Sequence, residues 1–431
     1  MAADQGHTPI RRVVAASMIG TTVEWYDFFL YGSAAALVFN KIFFPSFDPF
    51  VGTLLAFATY AVGFVARPLG GIVFGHFGDR IGRKRLLMLS LVMMGVATVL
   101  IGLLPTYAAI GVWAPAGLIL LRLVQGFAVG GEWGGAVLMA AEHGDSARRG
   151  FWTSWPQAGV AAGSLLSAGM LALMAAVMSE AEFLDWGWRV PFLLSAILVA
   201  VGWYIRNRVA ESPMFQAAIE EAEDLPKLPA IYVLRERPRG IVLGAGLRVG
   251  ENISYYILTV FSLTFLVDVA AESRALALEA LLIGAAVQFF AIPLFARLSD
   301  QIGRRPVYAF GGLGLAAFIF FFFGMLASAN TGAIIAAIVI GLVLHSAMYG
   351  PQAAFITEQF PTRLRYSGVS IAYQLTSIVA GSLAPIIALW LYREYDSAKP
   401  VAIYVAVACA ISGVSALLAS ETKGVELDSI R

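Results

Sequence analysis

Twelve long apolar segments constrain this chain more than any other feature of its sequence. A helix needs roughly 20 apolar residues to cross the hydrocarbon of a bilayer, and each segment approaches or exceeds that length. The runs are continuous rather than alternating and are rich in Ala, Leu and Gly, which favours helices over strands. With 59% hydrophobic and only 13% charged residues, the composition is typical of a membrane protein. The predicted spans lie near residues 13–39, 50–76, 86–105, 115–141, 155–179, 189–206, 241–269, 275–297, 306–327, 331–358, 367–393 and 399–420.

The rest of the composition argues against several other classes of protein. The first apolar run is longer than the roughly 7–15 residues of a signal-peptide core, so we expect it to remain as the first span. Cys409 is the one cysteine, which excludes an internal disulfide, and the four histidines lack metal-ligand spacing. No nucleotide loop or hydrolase motif indicates an enzyme, and the net charge of +1 does not indicate a nucleic-acid partner. We expect no metal and no cofactor.

The distribution of basic residues orients the predicted spans. Cytoplasmic loops of membrane proteins carry an excess of Lys and Arg. With both termini in the cytoplasm, 21 of the 29 basic residues fall in cytoplasmic segments and five fall outside. The longest polar interruption, residues 207–240, separates two groups of six spans, and part of it is expected to form an amphipathic surface helix. The predicted domains are therefore residues 1–206, a cytoplasmic linker over 207–240, and residues 241–431.

A short motif occurs once in each half of the chain. GHFGDRIGRKR, residues 75–85, follows the second span, and ARLSDQIGRRP, residues 296–306, follows the eighth. Asp79 matches Asp300 at an offset of 221 residues, about half the chain. Parallel duplication of a six-span unit is an architecture of secondary transporters, whose substrate site lies near the membrane midplane between the halves.

We interpret the repeated loop as a cytoplasmic gate. Positive-inside charge alone would explain its Arg and Lys residues but not the two aspartates or the matched glycines. Glycine permits a tight turn between spans, and a carboxylate at a helix end can hold a neighbouring arginine and a helix N-terminus. The predicted gate residues are Gly75, Asp79, Arg80, Gly82, Arg83, Asp300, Gly303 and Arg304.

Three stretches, together with this loop, resemble a known family. GxxxDRxGRK is similar to the signature loop of the major facilitator superfamily. VEWYDFFLYG, FVARPLGGIVFGHFGDRIGRKR and LRLVQGFAVGGEWGGA resemble its metabolite:proton symporter family, most closely the shikimate-type branch. The second loop departs from the pattern at Ala296 and Gln301. The resemblance implies an all-α fold of twelve transmembrane helices in two pseudo-symmetric six-helix bundles, with cytoplasmic termini, acting as a monomer in the bacterial inner membrane.

Two carboxylates lie inside the first span. Glu24 is eleven residues into the span. At 1.5 Å per residue that depth is roughly 16 Å, near the middle of a hydrocarbon core about 30 Å thick. Glu24, Asp27 and Tyr31 are spaced i, i+3, i+7 and share one helix face. An ionisable residue in a span costs roughly 2.5–3.5 kcal/mol and by default indicates function. Both carboxylates are candidates for proton coupling, although one could instead pair with Arg122 or Arg67.

Span four carries a second set of polar residues. Arg122, Gln125 and Glu132 lie close to one face, beside glycines that permit close helix approach. Arg122 could hold a substrate carboxylate through two parallel hydrogen bonds, or it could pair permanently with Glu132 or Asp27. Glu132 is a third coupling candidate, with a packing role as its alternative. Arg67 in span two is either a cavity residue or a structural partner.

A further polar face begins the second half. Arg248 is expected to lie shallow, while Glu251, Asn252 and Tyr255 reach deeper on the same face. In span ten, His345 has a side chain that can titrate near neutral pH, although a lone histidine is often a packing residue. The remaining candidates for lining a substrate cavity, each with a structural alternative, are Tyr349 and Gln352 in span ten, Trp155 and Gln157 in span five, Gln288 in span eight, and Tyr373 and Gln374 in span eleven.

These residues predict proton-coupled uptake of a small organic anion. Asp27 and Glu24 are expected to carry the proton, and Arg122 is the leading partner for the anion. Linkage requires that proton and substrate favour each other's binding. The membrane potential adds about 2.3 kcal/mol per charge per 100 mV, which favours influx as the two halves rock.

The sequence leaves the substrate open. The basic residues in the spans fit a shikimate-like hydroxy acid, an aromatic acid or a dicarboxylate. A betaine or proline carrier is the rival, but osmosensing relatives in the resembled family bear a long C-terminal extension, whereas this chain stops about eleven residues after its last span. Uncoupled facilitated diffusion is a second alternative. A receptor is disfavoured because no soluble signalling domain is visible.

Overall fold

The computed structural model describes residues 10–81, 83–130, 137, 140–141, 144–207, 235, 238–360, 368–369, 372–373 and 376–426, and it includes their side chains except at 72, 75–81, 83–87, 205–207 and 378–379. Within these ranges the regular elements are helices, with no strand among them, which confirms the predicted all-α class. The principal helices are α1 (Ile10–Ala34), α2 (Pro49–Ile81), α3 (Arg83–Leu103), α4 (Trp113–Val129), α5 (Arg149–Val177), α6 (Arg189–Asn207), α7 (Pro238–Tyr256), α8 (Arg274–Ile302), α9 (Arg304–Leu326), α10 (Thr331–Thr357), α11 (Ala384–Tyr395) and α12 (Lys399–Leu418).

Each predicted span overlaps one of these helices, and parts of spans four and eleven lie outside the described residues. Seven of the described helical segments are individually long and apolar enough to cross a membrane, and the bent pair Glu180–Gly187 and Arg189–Tyr204 makes an eighth. α1 is less apolar because it carries Glu24 and Asp27 in its middle. The side of the membrane on which the termini lie stays a prediction.

Glycine contacts bring α2 and α4 close together. A Cβ added to Gly126 would overlap the Gly63 carbonyl, and one added to Gly130 would overlap the Arg67 carbonyl. Small residues at helix interfaces in membranes let backbones approach in this way. The two helices therefore meet at backbone contact, and both Arg67 and Arg122 are buried between them and their neighbours.

The first helix of each half ends in π-helical turns. α1 continues through Ala35–Phe39, and α7 continues through Ile257–Phe261 and Phe265–Val269. A further π-helical segment, Ser377–Ser382, precedes α11. Such turns occur frequently at functional sites. Their matching positions in α1 and α7 extend the internal repeat from sequence to helix geometry.

The two bundles meet along a small number of helices. α5 of the first bundle packs against α8 and α10 of the second, and α2 packs against the segment that leads into α11. Within the bundles, α1 packs on α5 and α9 packs on α12. The greater part of the predicted linker, residues 208–234 and 236–237, lies outside the described residues, so its amphipathic helix and the domain boundaries stay predictions.

Candidate functional site

A cavity lies where the two bundles meet. Its volume is about 10 Å³, about the room that one water molecule needs, so a larger ligand would require the surrounding helices to move apart. The first bundle contributes Trp25 and Val160, and the second contributes the polar groups. Those second-bundle residues are Arg248, Glu251, Asn252, Tyr255, Tyr256, His345, Tyr349 and Tyr373.

A buried ion pair forms part of the cavity wall. Arg248 Nη1 donates to Glu251 Oε2 and to Gln352 Oε1, both at 3.1 Å. Gln352 Nε2 donates to the same Glu251 oxygen at 3.0 Å and to the Tyr308 hydroxyl at 3.1 Å. The guanidinium also stacks on Tyr373, with Cζ 3.3 Å from the ring centre. These contacts supply much of the hydrogen bonding that two charges removed from water require, although Arg248 Nε has no hydrogen-bond partner among the described residues.

His345 extends this network from α10 to α8. Its Nε2 lies 3.2 Å from Glu251 Oε1, and its Nδ1 lies 3.0 Å from Gln288 Nε2. An amide nitrogen donates and cannot accept, so Nδ1 is the acceptor and Nε2 carries the hydrogen given to Glu251. With the Gln288 amide in this orientation, the imidazole is neutral. Gln288 Oε1 is buried and has no hydrogen-bond partner among the described residues.

The first bundle contains a different network, made of neutral links between opposite charges. Thr98 Oγ1 lies 2.8 Å from Asp27 Oδ2 and 3.0 Å from the Met94 carbonyl. Gln125 Nε2 donates to the same hydroxyl at 2.8 Å, and Arg122 Nη1 donates to Gln125 Oε1 at 3.1 Å. Asp27 and Arg122 are thus connected through one hydroxyl and one amide rather than by direct contact.

Aromatic rings, rather than carboxylates, surround Arg67 and Arg122 in the first bundle. Arg122 Cζ lies 4.4–4.7 Å from the ring centres of Phe28, Tyr31 and Tyr60. Arg67 Cζ lies 4.6 Å from the Phe28 ring centre and also stacks near two further rings. Cation–π contacts of this kind contribute about 2 kcal/mol or more when desolvated. The described salt bridges include neither arginine.

The same rings join the two bundles. The Phe28 ring centre lies 6.3 Å from that of Tyr256, and the Phe64 centre lies 5.6 Å from it. Phe29 contacts Tyr255 at 5.4 Å. Phe28 therefore touches both Arg122 and a residue of the cavity wall, and it links the two polar networks.

At the predicted cytoplasmic end, the second copy of the repeated loop bridges the bundles. The Asp300 carboxylate accepts hydrogen bonds from the Gly150 and Phe151 backbone amides at the start of α5, each at 2.9 Å. Arg304 donates to Asp300 at 2.6 Å and to Glu358 at 3.2 Å. The gate hypothesis expected a carboxylate to hold an arginine and a helix N-terminus, and Asp300 makes both contacts. Gly303, between them, adopts a positive φ of 111° that favours glycine.

Arg149 brings the first bundle into the same network. It donates to Glu358 at 2.9 Å and to the Val425 carbonyl at 2.9 Å. In the first copy of the loop, Gly82 and the side chains of Asp79, Arg80 and Arg83 lie outside the described residues, as does the side-chain environment of Gly75.

The opposite end of the interface carries an exposed ion cluster. Glu180 Oε1 accepts from Lys41 and from Arg274, each at 3.3 Å, and Arg274 also donates to the Leu37 carbonyl at 3.4 Å. Arg274 begins α8, so the cluster joins the two bundles outside the spans. Arg274, with help from Lys41, lowers the pKa of Glu180 below its usual value.

The structure separates the predicted site residues by their place relative to the cavity. Six of them line it: Glu251, Asn252, Tyr255, His345, Tyr349 and Tyr373. A second group occupies the surrounding walls and helix contacts: Glu24, Asp27, Tyr31, Arg67, Arg122, Gln125, Trp155, Gln157 and Gln288. Two candidates, Glu132 and Gln374, lie outside the described residues.

Three placements differ from what the sequence indicated. Arg248, expected to be shallow, lines the cavity. Tyr31 donates to Thr59 on α2 at 2.7 Å, whereas Asp27 contacts Thr98 on α3. The residues predicted to share one helix face therefore contact two different helices. Trp155 packs against Phe289 where α5 meets α8, with ring centres 6.3 Å apart.

Thr98 was missed by the sequence reasoning. A threonine within an apolar run resembles ordinary helix packing, and only the fold brings it to Asp27.

Comparison with known proteins agrees with this architecture. The family model described as "Sugar (and other) transporter" matches residues 13–227 and 233–431. The chain is 42% identical to the shikimate transporter of Escherichia coli over 416 residues, covering 96% of this chain and 95% of that protein. It is 40% identical to the inner membrane metabolite transport protein YhjE of the same species, covering 97% of each.

More distant relatives extend the range of named substrates. The proline/betaine transporter of Salmonella typhimurium is 34% identical over 96% of this chain and 84% of its own length. Among solved structures, the proton:xylose symporter XylE superposes with a TM-score of 0.74, covering 98% of both chains at 18% identity. At that identity the superposition shows a shared fold and nothing finer.

Proposed function

The chain belongs to the sugar (and other) transporter family of the major facilitator superfamily, and from that premise we propose that it takes up a small organic acid together with protons. The acid is a hydroxy acid such as shikimate, an aromatic acid or a dicarboxylate. The proton is the coupling ion, and the proposal requires no cofactor.

One observation supports an organic acid as the substrate, namely the arginine on the cavity wall. The planar guanidinium of Arg248 matches a carboxylate through two parallel hydrogen bonds. Its present partner, Glu251, lies one helical turn along α7, so an incoming carboxylate would share or replace that contact. Asn252 Oδ1 has no hydrogen-bond partner within the described part of the chain and offers a contact to a substrate hydroxyl group.

In this proposal Asp27 carries the coupling proton. The Thr98 hydroxyl has a single hydrogen and two acceptors within reach, Asp27 and the Met94 carbonyl. When Asp27 is ionised, Thr98 donates to it. When Asp27 is protonated, it donates to Thr98, whose hydrogen turns to the carbonyl. The same residues thus accommodate both states without an unpaired donor at Thr98.

Alternating access follows from rocking of the two bundles about the cavity. The bundles are bridged at one end by Asp300, Arg304, Glu358 and Arg149, and at the other by Glu180 and Arg274. Opening either side requires release of one set while the other holds. Proton and acid enter from the outside and leave to the cytoplasm in the predicted orientation.

The experiment is uptake by purified protein in liposomes. Labelled shikimate, benzoate and succinate are presented with the outside one pH unit more acidic than the inside. For one proton per monoanion, that gradient supports about tenfold accumulation, because one pH unit corresponds to about 1.4 kcal/mol. Absence of uptake for every acid would overturn the proposal.

A matched pair of variants tests the proton site. Asp27→Asn should abolish accumulation while exchange of labelled for unlabelled substrate continues. Glu279→Gln, an exposed carboxylate on α8, is the control and should behave as the wild type. Full pH-driven accumulation by Asp27→Asn would show that the coupling proton does not bind at Asp27.

The cavity also favours a second candidate, a betaine or proline carrier. Its wall includes the rings of Trp25, Tyr255, Tyr256 and Tyr349, and aromatic rings hold quaternary ammonium groups. The named relative from Salmonella points the same way. Unlabelled betaine and proline added to the uptake assay discriminate the two: strong competition by betaine, with none by the acids, would favour this second candidate.

A further inference from the structure

We propose that His345 is a second proton-binding site, which takes up one proton each time a substrate carboxylate binds Arg248. The inference rests on the proposed function, since it assumes that the substrate is an acid. The site lies on α10 in the second bundle, whereas the coupling carboxylate proposed above, Asp27, lies on α1.

A proton added to the cavity wall would balance the charge of a bound acid beside that acid. With a neutral imidazole, Arg248 and Glu251 cancel each other. A bound carboxylate adds a negative charge to a buried group of residues that then holds two anions and one cation. Uncompensated buried charge is strongly unfavourable. An imidazolium at His345, which already contacts Glu251 at 3.2 Å, restores the balance.

The geometry around the imidazole accommodates both of its charge states. In the neutral state Gln288 Nε2 donates to Nδ1, and Gln288 Oε1 has no partner within the described part of the chain. Once Nδ1 is protonated, rotation of the Gln288 amide by half a turn presents Oε1 as the acceptor. Nε2 continues to donate to Glu251. The added proton therefore gains a hydrogen bond without displacement of a helix.

His345 is the one imidazole among the residues that line the cavity. A phenol or a thiol in its ordinary state is neutral near pH 7, and an arginine stays charged. Imidazole is the side chain whose ordinary charge change falls between about pH 5 and 8. The charged and titratable groups around the His345–Glu251 pair are Arg248, Tyr255, Tyr256, Tyr308, Tyr349, Tyr373 and Cys409, with Glu24 and Arg67 across the cavity.

Linkage then makes substrate and proton cooperative at this site. The carboxylate draws Arg248 away from Glu251, and the imidazolium replaces the lost positive partner. Because the coupling is reciprocal, protonation of His345 raises the affinity for the acid by the same factor. The proton enters from the same solution as the acid, and no bond other than the Nδ1–H bond is formed.

Proton uptake on substrate binding tests the inference directly. Purified protein in weakly buffered detergent solution is mixed with shikimate, benzoate or succinate at matched pH, and an indicator dye measures protons taken up per acid bound. The Asp27→Asn variant removes the proposed first site. It should still take up one proton per acid near pH 7, and D27N combined with H345Q should take up none.

A second variant covers the case in which His345→Gln does not fold. Gln288→Glu places a carboxylate beside Nδ1 and keeps His345 protonated without substrate, so in the D27N background binding should no longer take up a proton. No uptake by D27N alone, with the wild type taking up one proton, would overturn the inference and leave the proposed function intact. Equal uptake with and without His345 would assign the proton to another group, such as Glu251. Failure of every acid to bind the wild type would instead reject the proposed function, and this inference with it.

Discussion

The two bundles connect a buried carboxylate to a buried arginine in different ways. In each, a glutamine on the fourth helix connects the first and third helices: Gln125 reaches Thr98 and, through it, Asp27, while Gln352 reaches Tyr308 and Glu251. In the first bundle the carboxylate and the arginine stand at opposite ends of this neutral chain. In the second, the carboxylate contacts its arginine directly and has a histidine on its other oxygen.

This difference assigns different tasks to the two bundles. A carboxylate that touches only a hydroxyl can gain or lose a proton while its surroundings change little. A carboxylate held by an arginine, a histidine and an amide changes state only when another anion takes one of those contacts. The first network is therefore suited to a proton alone, and the second is suited to an acid that replaces an internal anion and binds together with the proton proposed at His345.

The largest effect is expected from loss of the arginine in the second network. Arg248→Gln leaves Glu251 buried without its cation, and breaking a buried pair costs about 3–5 kcal/mol. Arg122→Gln removes cation–π contacts and the hydrogen bonds to Gln125 and to the Tyr60 carbonyl, for about 1–3 kcal/mol. Unfolding of both variants by SDS titration measures the difference. The double variant R248Q/E251Q should recover much of the loss, and an equal or larger cost at Arg122 would contradict the comparison.

The two glutamines give the next largest effect. Gln352→Leu leaves Arg248, Glu251 and Tyr308 each one hydrogen bond short, whereas Gln125→Leu affects Arg122 and Thr98. Each buried polar group left unsatisfied costs about 1–3 kcal/mol. Gln352→Leu should therefore lower the free energy of unfolding more than Gln125→Leu does.

Transport kinetics separate the same two variants. Gln352→Leu should raise KM for the acid and leave the pH dependence of uptake in place. Gln125→Leu should change the pH dependence with a smaller effect on KM. The reverse pattern would mean that the acid depends on the network of the first bundle and the coupling proton on that of the second.

Much of the fold could be predicted from the sequence because it depends on local composition. Apolar runs of membrane-spanning length define the helices, and the repeated loop with Asp300 indicated the duplication and the contact that bridges the bundles. The polar residues of α7 and α10 were found as candidates because their spacing puts them on one face.

The networks themselves could not be predicted, because each is made by helices far apart in the chain. The partner of Arg122 is a set of rings from α1 and α2, brought close by glycine contacts that the helix spacing alone does not specify. Arg248 was expected to be shallow because its depth was counted from the end of an apolar run. Its position in the cavity depends on how α7 packs, beginning at Pro238.

A smaller effect is expected from the hydroxyls that contact each network. Thr98→Val keeps the shape of the side chain but removes the only hydroxyl bonded to Asp27 among the described residues, which disfavours the ionised carboxylate. The external pH for half-maximal uptake should therefore rise. Ser377→Ala is the matched control, because Ser377 meets Arg248 at a long 3.4 Å and the pH profile should not move. Equal shifts in both variants would show that the two networks respond alike to protonation.

The smallest effect on stability is expected from the exposed ion cluster around Glu180, between the two bundles. Glu180 is two-thirds exposed, with a side-chain accessibility of 67%, and exposed pairs contribute about 0.2–1 kcal/mol. Because Arg274 lowers the pKa of Glu180, the stabilisation is fully present above the unfolded value of about 4.3 and is lost as the pH falls through the folded value. Glu180→Gln should thus lower the melting temperature slightly at pH 7, and this difference from the wild type should disappear in acid and shrink in high salt. A loss as large as that of Arg248→Gln would mean that the bundles are held together at their exposed end, and the contrast between the two buried networks would then explain little of the protein's stability.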